Sequence, residues 1–241
     1  MPDWYVPLTG PEATLERMAK VFTGPDLHVY ADGDKYFVRS ARFSALTKPV
    51  DVMVCADRML PPALALLNLY VGVIGDVHAY GALWRDEHGN EHGMTAAMGT
   101  ARVLAPYGLE RFSRTDPNGV TLASRLLPLA ERDPRVATAL REIRSEDPGW
   151  SEIYVLMELV AGELKEDPAH RSKEWNPIAS KGWSDSDTLS RLKQTANHHR
   201  HGDRKKHRLP AKPVTRAEAR WVITDVLCRW LEEKLGDVSK G

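Results

Sequence analysis

The hydrophobic pattern of the chain changes its period near the middle, and this change restricts the fold more than any other feature. In the first half, the stretches "LHVY" and "KYFVRSARF" flank "ADGD", in which Asp32 and Gly33 suit a tight hairpin turn. A second hairpin is predicted at "HGNE", and "DVMVCADRMLPPALALLNLYVG" indicates a strand or helix start that leads into a buried helix. In the second half, apolar residues recur at helical spacing instead. The pattern predicts an α+β protein, with a small mixed α/β domain followed by an all-α helical bundle.

The last predicted helix has the clearest signal in the chain. Thr215 and Glu218 form a capping box, and Gly236 follows Leu235 as a stop signal. Between them runs a continuous apolar face made of Ala219, Val222, Ile223, Val226, Leu227, Trp230 and Leu231. We expect this face to be buried in a bundle of about five helices, with Trp221 at its edge.

A polar, turn-rich segment over residues 105–120 separates the two halves. We therefore expect a small α+β domain over residues 1–110 and a helical bundle over residues 120–241. The chain has 241 residues, of which 42% are hydrophobic and 27% charged, as in ordinary globular proteins.

The two cysteines and the N-terminus restrict where the protein works. Cys55 and Cys228 lie far apart, which predicts neither a disulfide framework nor a zinc site. The start "MPDWYVPLTG" lacks the basic residues and apolar run of a signal peptide, and no apolar stretch is long and uninterrupted enough to span a bilayer. We expect a cytoplasmic protein without a membrane partner.

Positive charge is concentrated in one segment of a chain whose formal net charge is zero. Between Arg191 and Arg216 there are nine Lys and Arg residues, one acidic residue (Asp203) and four of the nine histidines. Like charges repel, so this segment should face solvent or an anionic partner. A solvated basic loop and a phosphate-binding surface are both open at this point.

Within the segment, Arg200 and His207 form an Arg-x6-His pair in "RHGDRKKH", with His201 directly after the arginine. This arrangement resembles the signature of the HEPN superfamily, which comprises helical bundles, many of them metal-independent ribonucleases. The resemblance covers roughly residues 120–236. It implies RNA as the partner, a homodimer whose two motif copies face each other across one cleft, and a defence or toxin-like role. It also implies that His207 is the acid/base, Arg200 the phosphate clamp and His201 a polar auxiliary.

The chemistry of these residue types agrees with such roles. A histidine can remove the proton of a ribose 2′-hydroxyl or protonate the leaving 5′-oxygen, and a guanidinium can bind two phosphate oxygens. Neither a metal nor a small-molecule cofactor is expected. Arg191 and His198 have the same spacing and are a rival pair. The predicted RNA-binding residues are Lys193, Arg204, Lys205, Lys206 and Arg208.

Two alternatives stay open. The first is a noncatalytic protein-interaction scaffold, in which the helical half mediates association and the basic loop is only solvated. The second concerns "RDEHGNEHG", whose potential ligands are Asp86, Glu87, His88, Glu91 and His92. His-x3-His suits a metal on a helix, but Gly89 and Asn90 place these residues at a turn. A polar hairpin tip is therefore the favoured interpretation.

Overall fold

The computed structural model describes residues 3–72, 75–86, 88–95, 115–116, 118–143, 148–166, 175–201 and 206–238. The chain divides into two compact units, Met1–Arg141 (unit 1) and Glu142–Gly241 (unit 2). Unit 1 contains an antiparallel sheet, and the later part of the chain is helical, so the predicted α+β class is confirmed.

The sheet of unit 1 consists of β1 Asp3–Thr9, β2 His28–Asp32, β3 Lys35–Arg39, β4 His78–Ala79, β5 Gly81–Arg85 and β6 Glu91–Thr95. Its order is β2-β3-β1-β5-β6, with β4 paired to the end of β1, and every pairing is antiparallel. Both predicted hairpins are present. In the first, Asp32 pairs with Lys35 and Gly33 takes a φ of 63°, a conformation that glycine adopts without steric cost.

The central strand β1 was missed by the sequence reasoning. Five consecutive residues of β1, beginning at Trp4, are buried, so the strand shows no alternation of apolar and polar side chains. Pro7 also lies within it, opposite Phe37 of β3, and proline is unusual in a central strand because it cannot donate a ladder hydrogen bond.

The helices of unit 1 are α1 Glu12–Val21, α2 Pro49–Val71, α3 Leu122–Arg132 and most of α4 Pro134–Ile143. Helix α2 packs against β1, β4, β5 and α3. It begins at Pro49, well before the apolar run, and continues through Pro61 and Pro62. The earlier turns bury one face through Val52, Ala56 and Met59, and every residue from Ala65 to Val71 is buried. This packing outweighs the two donors that the prolines lack.

Unit 1 is longer than the predicted domain over residues 1–110, because α3 packs on α1 and α2. The hydroxyl of Thr121, the N-cap of α3, donates to the carbonyl of Val21 at the end of α1. Most of the predicted boundary at 105–120 lies outside the described residues.

Unit 2 contains α5 Trp150–Glu166, α6 Asn176–Ser180, α7 Ser186–Arg200 and α8 Arg216–Val238, and α5 packs against the other three. The predicted apolar face of α8 is buried, with each of its seven side chains at most 4% exposed. The capping box is present, since the Thr215 N–H donates to the Glu218 carboxylate at 2.8 Å and the Glu218 N–H donates to the Thr215 hydroxyl at 3.2 Å. The helix does not stop before Gly236 but continues to Val238.

Candidate nucleic-acid interface

Helix α7 carries the first residues of the basic segment and ends at Arg200. The Asp185 side chain caps its start by accepting a hydrogen bond from the Thr188 N–H at 2.8 Å, and this contact lowers the pKa of the Asp185 carboxyl. The helix ends at Arg200, and the His201 N–H donates to the Asn197 carbonyl at 3.1 Å. The negative end of the helix dipole favours the cations of the last turn. Buried on its inner face are Leu189, Leu192, Thr195 and Ala196.

A buried hydroxyl of α7 binds the backbone near the end of the basic segment. Thr195 Oγ1 donates to the Arg191 carbonyl at 2.8 Å and accepts a hydrogen bond from the Val214 N–H at 3.2 Å. Thr195 is 1% exposed and Val214 is 4% exposed. The segment between α7 and α8 is therefore anchored at both ends, by the helix at His201 and by Val214.

A second contact fixes the middle of this segment. Nδ1 of His198 lies 2.7 Å from the backbone oxygen of His207. Because a carbonyl oxygen can only accept, His198 carries its proton on Nδ1 in this contact. The imidazole rings of His201 and His207 then stack with their centroids 4.4 Å apart and their planes 21° apart. Two histidines that are six positions apart in the sequence thus lie side by side, and the first of them directly follows Arg200 in the chain.

The guanidinium of Arg200 rests on an aromatic ring of α5. Its Cζ lies 3.7 Å from the centroid of the Tyr154 ring. Its Nη1 atom is buried and has no hydrogen-bond partner among the described residues. A guanidinium held this way is oriented by stacking and keeps its positive charge.

Further cations of unit 2 lie near indole rings. Lys193 Nζ is 5.8 Å from the centroid of the Trp175 ring, and Arg216 Cζ is 5.9 Å from that of the Trp150 ring. The exposed imidazole of His199 stacks on Trp150 with centroids 5.0 Å apart and planes 6° apart. Trp175 is buried and donates from Nε1 to the Glu158 carboxylate at 2.6 Å. Single-stranded nucleic acid contacts cations and accessible aromatic rings, and of these rings Trp175 is too buried to stack on a base.

The predicted RNA-binding residues fall into three groups. Lys193 lies on α7 beside Trp175, and Lys206 and Arg208 are exposed in the segment that follows. Arg204 and Lys205 lie outside the described residues. The described members therefore share unit 2 with the Arg200, His201 and His207 cluster.

The rival pair has other contacts. Arg191 donates through Nε to Asp187 at 2.9 Å, one helical turn earlier, and His198 binds the His207 backbone. Both lie within α7, where seven residues correspond to about 10 Å of rise. These two side chains support the helix and the segment.

The Asp86–His92 cluster forms a hairpin tip between the end of β5 and the start of β6. Oδ1 of Asp86 accepts from the N–H groups of His88 and Asn90, both at 2.9 Å. Its Oδ2 lies 2.9 Å from Nε2 of His92, whose ring stacks on Trp84 at 4.5 Å. Hydrogen bonds from His92 and then Asn90 hold the pKa of the Asp86 carboxyl well below its usual range. Glu87 lies outside the described residues. The Asp86 carboxylate therefore organises the turn.

The sequence reasoning missed the aromatic residues beneath the basic ones. Trp150, Tyr154 and Glu158 recur every four residues, which places them on one face of α5. That spacing was a usable signal. It was overlooked because the apolar stripe of Ile153, Leu156, Met157 and Val160 explained the helix by itself.

No family model, curated protein or solved structure matches the chain. The resemblance to the HEPN superfamily thus stays a prediction from the motif. Among the described residues, no helix has both the length and the apolar character needed to cross a membrane. Nor does the described part of the chain hold three or more His, Cys, Asp or Glu side chains grouped as metal ligands.

Proposed function

We propose that unit 2 binds RNA and cleaves it without a metal ion, using Arg200, His201 and His207. The observation that carries this proposal is the stacked pair of imidazoles, with ring centroids 4.4 Å apart, directly after an arginine that rests on Tyr154. Two general acid/base groups and a fixed cation are the set that cleavage beside a 2′-hydroxyl requires.

In the proposed reaction, His207 accepts the proton of the ribose 2′-hydroxyl, and the 2′-oxygen attacks the adjacent phosphorus. The bond to the 5′-oxygen breaks, and that oxygen takes a proton, either from the imidazolium form of His201 or from His207 after it has accepted the 2′-hydroxyl proton. The products are a 2′,3′-cyclic phosphate and a 5′-hydroxyl. Arg200 stabilises the charge that develops on the phosphoryl oxygens, and its stacking on Tyr154 means that it needs little reorientation to do so.

The test is an RNA cleavage assay with purified full-length protein. Cleavage should persist in EDTA, yield 2′,3′-cyclic phosphate ends, and stop when the nucleotide before the cut carries a 2′-deoxy sugar. His207→Ala should reduce the rate at least about a hundredfold, because a general acid/base is removed. Arg200→Lys should also be impaired, because an ammonium does not provide the planar fork.

Matched controls are available in the same chain. His88→Ala changes an exposed histidine of unit 1, and Arg229→Lys changes an exposed arginine of α8 that pairs with Asp225 at 2.8 Å. Both should cleave at the wild-type rate. If the two controls lose activity equally, or if His207→Ala keeps it, the activity does not belong to this cluster.

A protein-interaction scaffold is the second candidate, and one observation favours it. Trp221 of α8 is 71% exposed and borders a groove of about 230 Å³ that Val214, Val222 and Arg191 also line. An exposed indole beside an apolar groove is typical of association sites. If this candidate is correct, Trp221→Ser should abolish self-association or partner binding, and raising the salt concentration should not.

The remaining parts of the proposal come from the motif and the composition. A homodimer is expected because the motif resembles one whose two copies share a cleft. A cytoplasmic location agrees with the two free cysteines, Cys55 and Cys228. A defence or toxin-like role rests on the resemblance alone.

A further inference from the structure

The last turn of α7 and the start of α5 carry a pair of flat rings that the reaction proposed above does not use. The imidazole of His199 lies parallel to the indole of Trp150, with the ring centroids 5.0 Å apart and the planes 6° apart, so the two rings are stacked. His199 is exposed and Trp150 is half-buried. Since the indole covers one face of the imidazole, the exposed surface of the His199 ring lies on its other face and along its edges.

Three helices hold this pair of rings. Trp150 is the first residue of α5, His199 is the last but one of α7, and Arg216 is the first of α8. Arg216 Cζ lies 5.9 Å from the centroid of the Trp150 ring, and α7 packs along α5. A ring that contacts two other helices needs little ordering when a ligand arrives, which lowers the entropic cost of binding.

The pair adjoins the cluster that is proposed to cleave RNA. The His198 ring is nearly perpendicular to the His199 ring, at 89° and with centroids 5.2 Å apart. Nδ1 of the same His198 lies 2.7 Å from the backbone oxygen of His207. Arg200 directly follows His199 in the chain. A series of contacts therefore connects one exposed flat ring to the residue proposed as the acid/base.

Single-stranded RNA has groups that match such a surface. Proteins bind it with cations that follow the phosphates and with aromatic rings on which the bases stack, and histidine is among the rings used. The imidazole of His199, with an indole behind it, provides such a ring. The exposed Lys206 and Arg208 of the basic segment provide charges for phosphates.

We propose that one base of the bound RNA, in a nucleotide next to the cut, stacks on the His199 ring, with Trp150 as the positioning residue behind it. The identity of the ligand rests on the proposed function. The stacking adds a contact to a base, whereas contacts of Arg200, Lys206 and Arg208 with phosphates carry no sequence information. Because every base has a flat face, His199 should distinguish a base from a missing base more strongly than one base from another.

The test measures equilibrium binding of the full-length protein by fluorescence anisotropy. The probe is a labelled single-stranded oligoadenylate whose 2′-O-methyl groups prevent attack by the 2′-oxygen, so the protein does not consume it. His199→Ala should raise the Kd at least about fivefold, the lower end of what one stacked base contributes. His199→Phe keeps a flat ring and should bind within about twofold of the wild type. His88→Ala, which changes an exposed histidine of unit 1, is the control and should bind like the wild type.

A second probe separates stacking from charge. It is a chain of the same length whose sugars carry no bases, so that the phosphates remain. His199→Ala and the wild type should bind this abasic chain with the same Kd, because there is no base to stack. If His199 acted only by attracting phosphates, or only by supporting the end of α7, His199→Ala would weaken binding of both probes equally.

Unchanged oligoadenylate binding by His199→Ala, with a thermal unfolding curve like that of the wild type, overturns the proposal. Equal weakening towards the two probes also does, as does a Kd of His199→Phe as high as that of His199→Ala. The cleavage assay is read separately. Base-dependent binding through His199 without any cleavage would remove the proposed reaction and leave the stacking site. Cleavage with binding that does not depend on His199 would do the reverse, and a wild-type protein that binds neither probe would remove both.

Discussion

Arg200 of unit 2 is held in a different way from Arg42 and Arg85 of unit 1. In unit 1, Arg42 contacts the carboxylates of Asp26 and Glu131, and Arg85 contacts those of Asp32 and Glu91. In unit 2, Arg200 lies over the Tyr154 ring, and no described residue forms an ion pair with it. A guanidinium between two carboxylates is already neutralised, whereas one on an aromatic ring keeps its charge for an anion. The partner of a basic residue, more than its presence, therefore indicates an anion site.

The histidines differ in the same direction. In unit 1 the His92 ring binds Asp86 at 2.9 Å, and the contact serves a hairpin turn. In unit 2 the rings of His201 and His207 stack on each other, and among the described residues neither ring contacts a carboxylate. Arg39 of unit 1 lies between the two extremes, since it contacts the Tyr30 ring and pairs with the exposed carboxylate of Asp3.

The largest expected effect tests whether α8 is part of the hydrophobic core that supports these side chains. Trp230 of α8 is 2% exposed, so Trp230→Ala should lower the free energy of unfolding by about 3–5 kcal/mol. Trp221→Ala on the same helix should change it by less than about 0.5 kcal/mol, because Trp221 is 71% exposed. Urea unfolding of both variants measures the difference. Similar values for the two would mean that this face of α8 is not core.

The next effect concerns a device that both units use, a buried hydroxyl that accepts backbone N–H groups from a loop. Thr195→Val should lower the free energy of unfolding by about 1–3 kcal/mol, since it leaves the Val214 N–H buried without an acceptor. Ser124→Ala should cost a similar amount, because the N–H groups of Thr23 and Gly24 lose theirs.

Activity then distinguishes the two hydroxyls. Thr195→Val should also reduce RNA cleavage, because it frees one end of the segment that carries His207. Ser124→Ala should leave cleavage at the wild-type rate, because its loop belongs to unit 1. If Ser124→Ala reduced cleavage as much as Thr195→Val, the assignment of cleavage to unit 2 alone would be wrong.

Features within one helix could be predicted from the sequence, whereas contacts between distant residues could not. In unit 2, the capping box and apolar face of α8 lie within one helix, so the sequence pattern identified them. The contacts of unit 1 are distant, since Ser124 binds residues one hundred positions earlier. Helix α3 was assigned to the bundle because its own pattern is helical and carries no sign of its partner. Strand β1 was missed because burial on both faces removes the alternation that marks a strand.

In the candidate site, too, the residues close in sequence were predicted and the contacts between distant elements were not. Arg200, His201 and His207 stand close together in the sequence, and the motif named them. The ring beneath Arg200 belongs to α5, and only the packing of α5 on α7 brings the two together. The His198 contact with the His207 backbone was also unexpected, because main-chain acceptors leave no trace in a sequence pattern.

A smaller effect should appear in RNA affinity. Lys206→Gln with Arg208→Gln removes two exposed charges from the basic segment. If both contact phosphates, the slope of log K against log salt should become shallower by roughly 1.4, from about 0.7 for each single-strand contact. Lys35→Gln with Arg39→Gln is the matched pair in unit 1 and should leave the slope unchanged. Fluorescence anisotropy with a labelled single-stranded RNA, titrated at several salt concentrations, measures both slopes.

The smallest expected effect tests the contrast between ring and carboxylate directly. Tyr154→Leu removes the ring under Arg200, and the cleavage rate should fall by roughly twofold to fivefold, since such contacts contribute about 0.5–1 kcal/mol at exposed sites. Tyr154→Phe keeps the ring and should restore the rate. Tyr30→Leu in unit 1 removes the ring near Arg39, and cleavage should not change.

The two variants at Tyr154 together decide whether the ring or the hydroxyl of this residue matters. The Arg200 Cζ lies 3.7 Å from the ring centroid, a stacking distance, so the aromatic face is the contact that Tyr154→Phe preserves. If Tyr154→Phe were as slow as Tyr154→Leu, the phenol oxygen would be the active group and stacking would be incidental. If neither variant were slower than the wild type, the ring would not orient Arg200 for the reaction. The stacking of cations on rings in unit 2 would then be a feature of packing alone.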